Sequence, residues 1–155
     1  MAATKLLLHT DALIDFYSEK GEHRSVHAVL KSIEEGDFEG FISASTIMEL
    51  SELMIHVNPK LCFQVINSLH TTFGENIVPI NSRIAVESVQ AKIKYGLETP
   101  DAVICATARR CDALLLTTNN SLIRSLAMGA GEISATTPSD FAKKAGLVKA
   151  AADSE

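Results

Sequence analysis

Apolar residues arrive along this chain in two rhythms. The runs inside Thr4–His9 (Leu6, Leu7, Leu8) and Ala113–Thr117 (Leu114, Leu115, Leu116) show no alternation, which suits parallel strands covered on both faces. Phe38–Ser43 reads as a further strand, with shorter extended pieces over 76–80 and 133–136. Between them the period lengthens. Asp11–Tyr17 turns helical, and Ser25–Glu35 puts Val26, Val29, Leu30 and Ile33 on one face before a Gly36-Asp37 stop. Ser45–His56 carries Ile47, Leu50, Leu53 and Met54 as its stripe. Asn58-Pro59 breaks it, and a helix over Lys60–Phe73 follows. Ser82–Lys94 is helical and Gly96 closes it. Thr99-Pro100-Asp101 joins an N-cap residue, a proline for the first turn and an acid, and predicts a helix to about Cys111. Ser121–Ala127 and Ser139–Ala145 complete the set. Strands alternate with helices throughout, so the fold class is α/β with a parallel sheet. Residues 1–146 are expected to form one domain, and 147–155 a frayed, disordered tail.

Bulk composition narrows the function classes. The chain has 155 residues, 46% hydrophobic and 21% charged, a globular balance with enough material for a real core. A formal net charge of −5 argues against a tight, non-specific nucleic-acid binder. It does not exclude a nuclease, because a metal-binding acidic cluster itself adds negative charge. Cys62, Cys105 and Cys111 make an odd count with no C-x-x-C, so neither a disulfide framework nor a zinc knuckle is indicated. The opening MAATKLLLHT is too weakly apolar for a signal peptide or a membrane span, which makes a cytoplasmic location the expectation. There is no G-x-G-x-x-G or P-loop, and no Ser/His/Asp or Cys/His arrangement stands out.

Four polar residues fall where strands hand over to helices. His9 ends the first strand, and Glu49 lies in the first turns after the second. Asp101 opens its helix, and Asn120 follows the 113–117 strand. A parallel sheet gathers such positions at one edge, where ligands bind. Singly, each has a plain reading: Asp101 as a first-turn acid on the helix dipole, Glu49 as a surface glutamate, Asn120 as a helix cap. Their convergence favours a site. Asp11, two residues beyond His9, is placed to lend a carboxylate, and imidazole beside it suits Mn²⁺ or Zn²⁺ better than Mg²⁺. Asp15 reads as a solvated face. Arg109 and Arg110 offer guanidiniums for phosphate contact or simply suit a helix C-terminus. His23, His27, His56 and His70 share no ligand spacing.

The segments LLLHTDALIDFY, FISASTIMELSEL, LETPDAVICATARRCDALLLTTNN and PSDFA together resemble the PIN-domain family, including the VapC-like toxins of toxin–antitoxin pairs. The resemblance runs from about Lys5 to Phe141. It implies a PIN-like three-layer fold, with a central, mostly parallel sheet of about five short strands flanked by helices. It also implies a metal-dependent ribonuclease that hydrolyses phosphodiesters with Mg or Mn, a homodimer, and an antitoxin-like protein partner alongside RNA. Carried over by position, Glu49 and Asp101 match two of the family's four acidic ligands, while His9 and Asn120 stand where the other two would be. Thr10 and Thr118 are similar to hydroxyls that hold the acids or a metal-bound water. Each lost carboxylate removes roughly 8 kcal/mol of gross attraction to a divalent ion at ~4 Å and an effective dielectric of ~20, partly cancelled by desolvation. Weakened or lost nuclease activity is the expectation, with an inactive RNA- or protein-binding module as the alternative.

Overall fold

The computed structural model describes residues 4–148. Five strands, β1 (Thr4–Leu8), β2 (Phe38–Ser43), β3 (Ile77–Val78), β4 (Leu114–Leu116) and β5 (Ala135–Thr136), form one sheet in the order β3-β2-β1-β4-β5. Every pairing is parallel. Eight α-helices lie among the described residues: α1 (Thr10–Ser18), α2 (His23–Glu34), α3 (Ala44–Met54), α4 (Pro59–Phe73), α5 (Ser82–Tyr95), α6 (Thr99–Cys111), α7 (Asn120–Ala127) and α8 (Pro138–Lys144).

The leucine run in β1 lies at the centre of the sheet, and its side chains alternate between two cores. Leu6 and Leu8 join Leu13, Val26, Val29, Ile42 and Leu69 on one face. Leu7 joins Ile104, Cys105, Leu115 and Leu126 on the other. All three leucines are fully buried, which is why the strand shows no polar alternation. Gly40 in β2 has no side chain because Ile33 of α2 lies against its backbone.

Most ends are capped as their residues suggest. Asn58 accepts from Leu61 N–H, Asn81 from Ile84 N–H and Thr137 from Asp140 N–H. α6 differs from expectation. Glu98 takes its cap position without a side-chain bond, and Thr99 is drawn into the helix, where its hydroxyl accepts from Lys92 Nζ at 2.8 Å. At the other end of the chain, Leu147 packs on the core and its N–H donates to Ala142 O at 2.8 Å. Residues 149–155, most of the expected tail, lie outside the described residues. No helix among the described residues is long and apolar enough to cross a membrane.

Candidate functional site

The chain reverses direction across the sheet at β1: β2 and β3 lie to one side, β4 and β5 to the other. The crevice beyond the carboxyl ends of β1 and β4 is thus the switch point of an open parallel sheet. His9, the residue after β1, is only 6% exposed there. Its backbone N–H donates to Leu116 O at 2.9 Å, which fixes it against β4.

His9 is also the N-cap of α1. Its Nδ1 accepts from Asp11 N–H at 3.1 Å, and its Nε2 lies 2.8 Å from Asp101 Oδ1 at the start of α6. Satisfying both contacts assigns the proton to Nε2, which donates to the carboxylate. Asp11 Oδ2 lies 3.3 Å from Nδ1, so a second proton on the ring would find an acceptor there as well. Burial pulls the imidazole down, but the Asp101 hydrogen bond and the charges of Asp11, Asp101 and Glu49 outweigh it. The net effect raises His9 above its ordinary value.

The remaining contacts hold the carboxylates in place. Asp11 accepts from Thr117 Oγ1 through Oδ2 and from Thr118 N–H through Oδ1, the latter at 3.0 Å. Thr10 Oγ1 donates to Glu49 Oε1 at 2.9 Å and lies 3.0 Å from Thr46 Oγ1. Cys105, one turn past Asp101, has its thiol pushed up to about 12 by burial, with Asp101 adding to the shift. It is an inert core thiol.

Of the positions singled out in the sequence, His9, Thr10, Asp11, Glu49, Asp101 and Thr118 thus come together. Thr118 contributes its backbone N–H, and the hydroxyl that holds Asp11 belongs to Thr117, a fully buried residue passed over in the sequence. Thr46 and Asn119 were passed over too. Asn119 caps α7, its Oδ1 accepting from Leu122 N–H at 3.1 Å, and Asn120 is the exposed first residue of that helix. The tandem Thr117-Thr118-Asn119-Asn120 hides a one-residue ambiguity that only the end of β4 resolves. Arg109 and Arg110 lie eight and nine residues beyond Asp101, about 12–14 Å along α6, toward the opposite edge of the sheet. Arg110 Nη2 pairs with Glu87 Oε1 at 3.2 Å. Asp15, read as a solvated face, accepts from Glu22 N–H at 3.0 Å.

These side chains do not fit a hard divalent ion in this arrangement. His9 Nε2 takes Asp101 Oδ1, both oxygens of Asp11 are engaged, and Thr10 holds one oxygen of Glu49. The groups bond to one another instead of converging on a common point. Among the described residues, no group of three or more His, Cys, Asp or Glu side chains is placed to share an ion.

A doubly wound parallel sheet with carboxylates and hydroxyls at its switch point defines the class: an α/β protein with a polar crevice at the strand ends. The chain belongs to the PIN-domain family, whose model, described as "PIN domain", matches residues 6–129. Among solved structures it is similar to a toxin–antitoxin complex from Klebsiella pneumoniae, with 29% identity and a TM-score of 0.62 over 88% of this chain and 98% of that one. It is also similar to FitAcB from Neisseria gonorrhoeae (19% identity, TM-score 0.65, covering 86% of this chain and 97% of that one). VapBC2 from Rickettsia felis, solved bound to a DNA fragment from its promoter, aligns at 12% identity and a TM-score of 0.69, covering 86% and 98%. The last two similarities speak to the fold alone. No curated protein matches.

Proposed function

We propose that this chain is the PIN-domain member of a toxin–antitoxin type of pair, with its metal-dependent ribonuclease activity weakened or lost. The observation that carries this reading is the 2.8 Å contact of His9 Nε2 with Asp101 Oδ1. By resemblance, His9 stands where the family pattern has a carboxylate, and this contact engages one oxygen of Asp101, one of the two matched acids. Glu49, Asp101 and Asp11 are the carboxylates that would hold Mg²⁺ or Mn²⁺, whose contribution would be the activation of water, and each is committed to an internal hydrogen bond.

An antitoxin-like protein is the proposed partner, with a second copy of the chain completing a homodimer. An apolar groove of about 260 Å³ between α1, α3 and α4, lined by Ile14, Leu50, Leu53, Met54, Leu61 and Val65, offers a protein partner an anchoring surface. Leu53 is 58% exposed there. RNA is the substrate class on which any residual activity would act.

Cleavage of single-stranded RNA in millimolar Mn²⁺ tests the reading. Wild type should cleave slowly or not at all, and Glu49→Gln and Asp101→Asn should remove whatever cleavage remains. Wild-type cleavage that is fast, and faster than or equal to that of His9→Asp, would overturn it.

A further inference from the structure

An aromatic-lined cavity lies away from the switch point, between the C-terminal half of α1 and the first turns of α2. Its volume is about 520 Å³, inside the range of roughly 300–1,000 Å³ that small-ligand sites occupy. It is lined by Phe16, Tyr17, Glu19, His23, Arg24 and His27. That makes four rings, one guanidinium and one carboxylate, with no aliphatic side chain. The groove on α1, α3 and α4 shares Tyr17 with it but is otherwise mainly aliphatic.

The rings are held in place from beneath. Phe16 and Tyr17 pack on the core and meet edge to face, 4.9 Å apart at 71°. His27, exposed on α2, lies nearly parallel to Phe16, at 16° with centroids 6.1 Å apart. Arg24 and Glu19 are exposed at the rim. His23 Nδ1 is buried and has no hydrogen-bond partner among the described residues. A neighbouring cavity of about 370 Å³ shares Phe16, Tyr17 and His27 and continues along α2 to Lys31 and Glu34.

Flat rings ask for a flat ligand, a guanidinium asks for an anion, and a carboxylate beside them asks for an N–H donor. A nucleotide carries all three in one unit: a base with a π-face, an exocyclic amine and a phosphate. We propose that this cavity binds one nucleotide unit. The base lies on Phe16 and His27, the phosphate pairs with Arg24, and Glu19 accepts from the base edge. Lys31 in the neighbouring cavity is available to a following phosphate, and the unit comes either from single-stranded RNA or from a free nucleotide. Phe16 lies about 9 Å along α1 from Thr10, and binding here does not depend on whether the crevice at the strand ends is active.

Backbone amide NMR shifts of the full chain, titrated with AMP, with an oligoadenylate of about six nucleotides and with inorganic phosphate, test the proposal. AMP or the oligonucleotide should shift amides of α1 and the start of α2, and phosphate alone should not. Tighter binding of the oligonucleotide assigns the unit to RNA, and equal or tighter binding of AMP assigns it to a free nucleotide. Phe16→Leu should raise the Kd about 5- to 150-fold, the range for losing one stacking ring. Arg24→Gln should weaken binding and flatten its salt dependence. Arg83→Gln on α5, an equal change of charge, should do neither. His27→Ala, at an exposed position, reads the same stacking if Phe16→Leu fails to fold. Absence of shifts with both nucleotide probes would overturn the proposal. Equal shifts with phosphate alone, or binding that survives both His27→Ala and Arg24→Gln, would overturn it as well.

Discussion

Replacing His9 separates its two bonds and tests whether it blocks a metal. In His9→Ala, α1 loses the side chain that accepts from Asp11 N–H, and losing such a cap costs about 0.5–2 kcal/mol. The Nε2 bond to Asp101 is also lost. Hydrogen bonds to charged groups contribute about 1.5–3 kcal/mol. The low end applies here, because the Asp101 side chain is 31% exposed and water can rehydrate it. A total of about 2–4 kcal/mol lowers Tm by about 5–15 °C for a chain of this length. His9→Asp behaves differently. Aspartate is among the best N-cap residues, so the cap survives, but a new carboxylate now faces Asp11 and Asp101. Without metal, their repulsion lowers stability at neutral pH. Mn²⁺ binding only the folded state restores about 1.4 kcal/mol at ten times its Kd, or about 3–6 °C.

The assay is a set of thermal melts of wild type, His9→Ala and His9→Asp, each with and without millimolar Mn²⁺. Wild type should be nearly indifferent to the ion, and His9→Asp should rise with ion concentration. If His9→Asp ignores Mn²⁺, then the residues around position 9 do not form a chelating set. A wild-type shift as large as that of His9→Asp would show that the imidazole is no obstacle.

Three further outcomes follow from the same contacts. His9 titrates above its ordinary value in the fold, so its contribution to stability is complete below about pH 6.5 and is lost as pH rises through the higher folded value; urea melts should show the gap between wild type and His9→Gln narrowing from about pH 6 to about pH 9, and a widening gap would reverse the sign of the argument. Thr117→Val removes the hydroxyl donor to Asp11 from a fully buried position and should cost about 1–3 kcal/mol by chemical denaturation, whereas Thr118→Val, which keeps its backbone N–H, should cost less. Gly21→Ala meets both a left-handed backbone (φ 52°) and the Asp15 carboxylate that accepts from Glu22 N–H; a loss of about 1–3 kcal/mol is expected, and an unchanged melt would show that the α1–α2 turn is free to rearrange.

Legibility in the sequence follows how local the cause is. The leucine runs of β1 and β4 announce buried parallel strands because burial on both faces leaves no polar position to blur them. Asp101 is legible because proline and an acid mark a helix start within three residues, although the cap itself falls one residue earlier, at Glu98. What escapes is set by contacts distant in sequence. Asp11 is fixed by Thr117 and Thr118, more than a hundred residues away, and nothing near Asp11 reports that. The Thr-Thr-Asn-Asn tandem offers two registers, and the choice depends on where β4 stops, which is a matter of pairing with β1 and β5. The orientation of Arg109 and Arg110 follows from helix length alone: a helix that begins at the switch point carries its last turn to the other edge of the sheet. The nearness of His23 and His27 to Phe16 and Tyr17 of α1 and to its cap residue Glu19 is likewise a matter of how two helices pack.

The carboxylates at the strand ends are compensated by groups of the chain itself. Asp11 lies in the first turn of α1 and Asp101 in the first turn of α6, where the positive ends of the two helix dipoles favour a carboxylate. Thr117 Oγ1 and Thr118 N–H neutralise Asp11 further, and Thr10 does the same for Glu49. The ring of His9 then donates to Asp101, and the Asp101 hydrogen bond with the charges of Asp11, Asp101 and Glu49 favours its protonated form against burial. In such a setting a proton on imidazole and a divalent ion compete for the same negative potential. The proton has the advantage because its carrier is already covalently in place and pays no dehydration of a hard ion. A metal would have to displace the Asp101 bond and free at least one oxygen of Asp11 before it gained a ligand. His9 meanwhile supports the scaffold, since its side chain caps α1 and its backbone N–H ties β1 to β4.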